Sequence, residues 1–454
     1  MTGSVVPNVA GWHGWLQMKP FGLALWVAGF FYLYSVSWRV LPESLSTARV
    51  LALIAMLVFA VRALYRCAAT RIPHEILTVA GLLALYTCWV GWRTVMSGVD
   101  DVNIVTNAAL LLLQVLPVAI LMGYLYASRD LSFRDLVVIL QAIIVLQALF
   151  IVLTFVSWNF RIFTLEALHE GGQQVEELHP FRVRGLTHST GAKLSAFQAV
   201  GILFSVYLLL GARSMTVIVY LTGSIALLLA SILLTGRTGF LMLPIVAVFA
   251  TVYVLLRRRI PRSVIGASIL LPFGVLAGFF LLRQVFLSGA DAAVSAEVFG
   301  RLTHWVMREF LRYTDSGAME SSTVAVLLQK HWFLPDSDLT VMFGNPATWQ
   351  LARVHSDVGP VRLIFGTGLV GTALLYSSYV VMWASTLRNI EGFAERLMLI
   401  TLFLWLVIIE LKEPMLLDLR FASLTAWVMM FCVFRASYLQ VSRVDFAPTP
   451  SSGQ

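Results

Sequence analysis

The sequence has little charge, little cysteine and none of the short motifs typical of soluble enzymes. Only 12% of its 454 residues are charged, whereas soluble domains carry about 25%. Its three cysteines, Cys67, Cys88 and Cys432, lie in or beside apolar runs, so neither a disulfide framework nor a cysteine-rich metal site is expected. P-loop, HExxH and CxxC motifs are all missing, so nucleotide hydrolysis and zinc-peptidase chemistry of those types are not indicated.

Long apolar runs take the place of charge, and 59% of the residues are hydrophobic. Backbone polar groups in lipid must pair within one segment, so runs of spanning length predict helices. The sequence therefore predicts a single integral membrane domain over residues 1–454, an all-α polytopic bundle of about twelve transmembrane helices. The predicted spans are 21–38, 47–66, 75–96, 104–127, 136–157, 187–211, 216–234, 238–256, 263–282, 359–386, 394–411 and 419–437.

The orientation of this bundle follows from the excess of Lys and Arg expected on the cytoplasmic side. With the N-terminus inside, the inner loops and termini carry fifteen such residues and the short outer loops carry six. Both termini are then cytoplasmic, and residues 438–454 are predicted to form a disordered cytoplasmic tail. Two large loops, 158–186 and 283–358, face outward. The net charge of +8 is explained by the inner arginines, so nucleic acid is not an expected partner.

The second large loop is too long and too polar to be a simple connection. Apolar residues recur in it at three- and four-residue steps, which predicts an amphipathic helix; they are Phe299, Leu302, Val306, Phe310 and Tyr313. The loop also carries Arg301 and Arg353. We interpret it as one wall of an active site above a membrane-embedded floor.

Two segments place arginine at the predicted outer ends of helices. Arg182 and Arg184 precede the sixth span, and Lys193 lies about two turns into that span if it begins near Thr187. Arg237 is the only charge in the LTGRTGFL hairpin, residues 234–241, where two glycines permit close backbone approach. Arginine can hold phosphate through its fixed fork of donors. The alternative is that these cations anchor the helices at the lipid headgroups.

Potential acid–base groups crowd the end of the second loop. Arg353, His355, Asp357 and Arg362 lie together at the start of the tenth span. Adjacent side chains diverge, so they do not form a relay, but His355 or Asp357 can act as a general base. An ordinary loop histidine is the alternative.

The remaining candidates lie within or beside the last three spans. Lys412 stands between two glutamates at the end of the eleventh span, where a local ion pair is the alternative to substrate binding. Glycines in the tenth span are typical of close helix packing; they are Gly366, Gly368 and Gly371.

Taken in order, Arg184–Gly185, the LTGRTGFL hairpin and a late loop ending in HSDVGPVRLIFGTGLVG resemble the O-antigen polymerase and ligase family over residues 180–430. The closest likeness is to Wzy-type polymerases. The resemblance implies a GT-C-like bundle in the bacterial inner membrane that needs no metal or cofactor. It implies glycosyl transfer from undecaprenyl-diphosphate-linked oligosaccharides at the periplasmic face. A repeat-unit flippase and a chain-length-regulating co-polymerase are the protein partners it implies.

The resemblance also assigns roles to individual residues. Arg184 and Arg237 correspond to diphosphate-binding arginines, and His355 to the loop histidine of the ligases. Arg182, Arg301, Arg353, Arg362 and Lys412 are further candidates for substrate binding. An O-antigen ligase acting on a lipid A core acceptor is the nearest alternative, and a transporter of lipid-linked glycan is an alternative from a different class.

Overall fold

A computed structural model describes the chain over residues 20–42, 44–65, 72–98, 102–129, 131–168, 183–187, 191–257, 330–349 and 356–445. Over these residues the backbone is helical or irregular, with one isolated bridge between Trp38 and Leu168. The α-helices are α1 (Pro20–Tyr34), α2 (Thr47–Tyr65), α3 (His74–Met96), α4 (Asn103–Ala127, with a π-helical turn at Leu111–Val115), α5 (Phe133–Val156), α6 (Trp158–Ala167), α7 (Ala192–Leu210), α8 (Met215–Thr235), α9 (Met242–Arg257), α10 (Asp338–Phe343), α11 (Gly359–Arg388), α12 (Phe393–Glu410) and α13 (Leu419–Asp445).

Eight helices of the described part are long and apolar enough to cross a membrane, namely α3, α4, α5, α7, α8, α11, α13 and the helix of Thr238–Leu256 that contains most of α9. The chain is therefore a polytopic membrane protein, and its described part is helical. The apolar parts of α1 and α2 are shorter, and the eighteen residues of α12 include three charged ones. The predicted span 263–282 lies outside the described residues, so the number twelve stays a prediction.

Two helix boundaries differ from the sequence-based expectation, and the first large loop contains a helix that the sequence analysis did not predict. Helix α7 begins at Ala192 rather than near Thr187, so Lys193 is its second residue and does not lie two turns inside it. Helix α13 continues to Asp445, so residues 438–445 are helical and not part of a disordered tail. The first large loop opens with helix α6, whose last residue accepts a backbone hydrogen bond from Arg39.

Helix α7 is the centre of the bundle, with 89% of its spanning window buried, against 28% for α3. It packs against α5, α8, α9 and α12. Small residues allow this: a Cβ at Gly201 would lie 2.8 Å from the Ile144 side chain and 3.0 Å from Leu228. Close approach through small residues is how helices associate where lipid is as apolar as the helix surface.

Candidate functional site at the predicted outer end

The 236–239 turn between α8 and α9 brings several predicted site segments together. The buried Ser195 hydroxyl, in the first turn of α7, donates to Gly236 O and accepts from Gly239 N at 2.8 Å. A Cβ at Gly239 would lie 2.5 Å from Ser195 O, so only glycine fits there. The sequence suggested that this glycine lets the turn approach a ligand; the structure shows that the close neighbour is α7.

Arg184 belongs to a short segment, 183–187, that is hydrogen-bonded to α1, α5 and α8. Val183 N donates to Leu234 O at 3.1 Å, and Gln147 Nε2 of α5 donates to Arg184 O at 2.9 Å. Gly185 adopts a φ of +63°, and a Cβ there would lie 2.8 Å from Gln147 Nε2. Arg184 itself is only 1% exposed. The sequence placed Arg184 just outside the membrane, and the structure adds that its side chain is buried within the protein, in a segment bonded to the end of α8.

Lys412 reaches the same turn from the opposite side. Its Nζ donates to Thr238 Oγ1 at 2.5 Å, which joins the α12–α13 connection to the α8–α9 turn. Within that connection, Glu410 Oε2 accepts from Leu416 N at 2.9 Å and Oε1 accepts from Tyr376 OH at 3.2 Å. The connection is therefore built around a buried carboxylate, with Lys412 directed at the turn.

A bidentate ion pair lies at the end of this connection that leads into α13. Arg420 donates from Nε to Asp418 Oδ1 at 3.0 Å and from Nη2 to Oδ2 at 2.7 Å, with both side chains nearly buried. Although burial opposes its ionisation, Asp418 keeps a pKa below its ordinary value because Arg420, and less strongly Lys193, stabilise the charge. Burial raises the pKa of Glu413, against the opposing influence of Lys193 and Lys412. Cations and carboxylates are interleaved here.

The start of α11 adds Asp357 and Arg362 to this region. Asp357 is exposed, and both it and Glu413 interact electrostatically with Arg362. Arg362 Nη2 donates to Trp349 O at 3.0 Å, and the guanidinium lies 5.0 Å from the Trp349 ring centroid. His331 Nδ1 accepts from the backbone N–H of Asp357 at 3.1 Å. The neutral His331 ring therefore carries its proton on Nε2, which suits it to donate rather than to act as a base.

The last described part of the second large loop is a hairpin, residues 331–349, that lies along α11. It begins beside Asp357, descends through α10 to Gly368, and returns past Phe365, whose carbonyl accepts from Asn345 N at 2.7 Å. Helix α11 is broken at Gly368, which has a φ of 71°. Gly368 is nine residues beyond Gly359, or roughly 13 Å at 1.5 Å per residue. We call residues 331–349 the re-entrant hairpin.

Two residues of α3, one turn apart, hold both sides of this break. Trp89 Nε1 donates to Thr367 O at 2.9 Å, at the break in α11. Arg93 donates from Nε to Phe343 O at 3.0 Å and from Nη2 to Gly344 O at 2.8 Å, which caps the end of α10. Irregular backbone within a membrane protein persists where protein groups satisfy its polar atoms. Gly368 therefore serves the break and the hairpin contact, rather than the helix packing that the sequence suggested.

Gly366 and Gly371 of α11 do provide room for close packing, against aromatic side chains. A Cβ at Gly366 would lie 2.9 Å from the Trp349 ring, and one at Gly371 would lie 3.0 Å from the Trp89 ring. The hairpin and α3 therefore rest on the same glycine-rich face of α11.

The structure thus brings part of the predicted site together. The segment of Arg184 lies against the end of α8, Lys412 contacts the 236–239 turn that contains Arg237, and Asp357 with Arg362 lies at the start of α11. The other predicted residues, Arg182, Arg301, Arg353 and His355, lie outside the described residues, as do the side chain of Arg237 and the predicted amphipathic helix at 299–313.

Sequence reasoning missed Ser195, Thr238, the Asp418–Arg420 pair and Arg93. Of these, only the Asp418–Arg420 pair could have been predicted from the sequence, because two opposite charges lie two residues apart at the start of an apolar span. Among the described residues, no group of three or more His, Cys, Asp and Glu side chains could hold a metal ion. No protein-family model matches the chain, and no curated protein sequence matches it.

Proposed function

We propose that this protein is an inner-membrane glycosyltransferase that polymerises undecaprenyl-diphosphate-linked oligosaccharide repeat units at the periplasmic face. The observation that carries the proposal is that the segment bearing Arg184 lies against the end of α8 and Lys412 against the adjoining 236–239 turn, which carries Arg237. Transfer from a lipid diphosphate requires stabilisation of the charge that develops on the leaving diphosphate. Preorganised cations in a site with little water do this best.

Charged groups of both signs lie around the turn. Four cations and four carboxylates belong to the neighbouring network, namely Lys193, Arg362, Lys412 and Arg420 with Asp357, Glu410, Glu413 and Asp418. The proposal assigns the diphosphate to Arg184 and Arg237, which lie on segments that meet beside this network.

The acceptor hydroxyl needs a base as it attacks, a contribution of roughly 10²–10⁴-fold. We assign this role to His355, with Asp357 as the other candidate. Asp357 is exposed beside Arg362 at the start of α11, on the same side as the 236–239 turn. In this proposal both termini are cytoplasmic, the bundle has twelve spans, and the two large loops face the periplasm.

Deletion of the gene and gel analysis of the surface glycan test the proposal. A product limited to a single repeat unit supports a polymerase. A full-length polymer that stays lipid-linked and is never transferred to lipid A core indicates the ligase alternative. Unchanged glycan would contradict both.

A transporter of lipid-linked glycan is favoured by one specific observation, the break of α11 at Gly368 beside the re-entrant hairpin. Transporters place substrate sites at discontinuous helices. Purified protein in vesicles distinguishes the two. A polymerase lengthens lipid-linked repeat units without a gradient, whereas a transporter moves them across the bilayer without changing their length.

A further inference from the structure

A second polar site lies between α3 and the re-entrant hairpin, apart from the 236–239 turn. It is a cavity of about 330 Å³ lined by Arg93, Ser97, Leu339, Thr340, Phe343, Gly344 and Asn345. Nothing in the proposed glycosyl transfer uses it.

The cavity offers donors and one positive charge. Arg93 donates two of its five N–H groups to the carbonyls of Phe343 and Gly344. The two N–H groups of Nη1 and one of Nη2 remain available to donate to a ligand. Thr340 and Asn345 also line it, and in the described part of the chain neither Thr340 Oγ1 nor Asn345 Nδ2 donates a hydrogen bond. None of the ion pairs among the described residues joins Arg93 to a carboxylate. A cation with free donors and no paired carboxylate suits an anion.

Exposed apolar side chains lie next to the lining residues in sequence. On α3, Trp92, Val95 and Met96 are 50%, 79% and 65% exposed, and on α10 Leu339, which lines the cavity, and Met342 are 70% and 45% exposed. In a membrane protein such side chains face lipid. An anion site on two helices with exposed apolar side chains matches a molecule whose charged group and hydrocarbon are joined.

We propose that this cavity binds the phosphate headgroup of a membrane lipid, with its chains lying on the exposed side chains of α3 and α10. Arg93 holds the phosphate through its remaining N–H groups, and Thr340 and Asn345 add neutral donors. Because Arg93 also caps α10, the bound lipid holds the tip of the re-entrant hairpin against α3. This inference does not depend on the glycosyltransferase proposal.

Native mass spectrometry of the full-length protein, titrated with phosphatidylglycerol, tests the inference. We expect Arg93→Gln to weaken binding of one lipid by about tenfold or more, equivalent to about 1.4 kcal/mol. Arg39→Gln is the matched control, since Arg39 is an exposed arginine at the same predicted end. Equal loss in both variants, or no loss in Arg93→Gln, would overturn the proposal.

Because Arg93→Gln also removes a cap, a charge pair at Leu339 provides a test that leaves the cap intact. Leu339→Glu should weaken binding of phosphatidylglycerol, and Leu339→Lys should keep or strengthen it. Equal weakening by both would mean an apolar contact without headgroup recognition. Displacement of the lipid by excess inorganic phosphate would instead indicate a site for a soluble anion. Dimers that Leu339→Glu dissociates would show that a second copy covers this face. Each of these three results contradicts the proposal.

Discussion

The two polar regions of the predicted outer end use their charges in opposite ways. Around the 236–239 turn, charges of both signs are buried and interleaved, as in the Asp418–Arg420 pair. At the hairpin cavity, Arg93 donates hydrogen bonds to backbone carbonyls and lines an open space. Exposed apolar side chains of α3 and α10 lie nearby. Buried, paired charges hold segments in fixed positions, whereas a half-buried cation with free donors is suited to recruit an anion. The turn is therefore the better place for chemistry and the cavity the better place for a lipid.

The comparison depends first on both regions facing the same side of the membrane. In a cysteine-free background, Val40→Cys should react with a membrane-impermeant maleimide in intact spheroplasts, because Val40 is 90% exposed at the predicted outer end. Ser128→Cys, in the predicted inner connection after α4, should react only after lysis. The reverse pattern would invert the topology and remove the periplasmic mechanism.

The next largest effect is expected at Arg184, which distinguishes a functional buried cation from a structural one. Arg184→Ala should abolish polymer, and Arg184→Lys should restore only part of it, because a point charge does not reproduce the guanidinium fork. Glycan gels report the activity, and membrane abundance reports folding. Arg39→Ala is the control. Normal polymer from Arg184→Ala at normal abundance would end the assignment, and Arg237→Ala is expected to behave in the same way.

The sequence was informative about helices and uninformative about contacts between distant segments. Eleven of the twelve predicted spans coincide with described helices, because bilayer thickness requires long apolar runs. The hairpin at 331–349 could not be predicted from the sequence, because it is stabilised by α3 and by backbone contact with Gly368. In the site, an arginine-bearing hairpin was recognisable from composition, but neither the burial of Arg184 nor the Lys412–Thr238 bond was. Pairings 174 residues apart leave no local pattern.

The buried Asp418–Arg420 pair near the 236–239 turn should contribute several kcal/mol to the free energy of unfolding. Arg420→Leu leaves Asp418 buried without its partner, and loss of one member of a buried pair costs about 3–5 kcal/mol. The double variant Arg420→Leu with Asp418→Leu should recover most of that loss. Thermal unfolding in detergent measures both. An equal melting temperature for wild type and Arg420→Leu would show that the pair contributes no stability.

A smaller effect is expected where the hairpin meets α11. A Cβ at Gly344 would lie 2.4 Å from Gly368 N, and Gly344 has a φ of +71°. Gly344→Ala should therefore cost about 1–3 kcal/mol and increase hydrogen exchange in residues 338–349 more than in α7. Gly223→Ala is the matched control, since nothing lies within 4 Å of its Cβ. Uniform exchange changes throughout the bundle would contradict a local hairpin contact.

The smallest expected effect is a pH dependence confined to the 236–239 region, caused by Glu413. Burial raises the pKa of Glu413 above its ordinary value, so the folded protein holds this proton more tightly than the unfolded chain does. The stability that the proton contributes is full below the unfolded-state pKa of about 4.3 and is lost as pH rises through the higher folded-state pKa. Glu413→Gln keeps the neutral hydrogen-bonding shape, so its melting temperature relative to wild type should rise as the pH increases above the unfolded-state pKa of about 4.3. Glu391→Gln, at an exposed position, should show no such trend. If the Glu413→Gln difference instead falls with pH, Lys193 and Lys412 stabilise the carboxylate more than burial opposes it. The turn region would then be an ion-pair network with a permanently ionised Glu413.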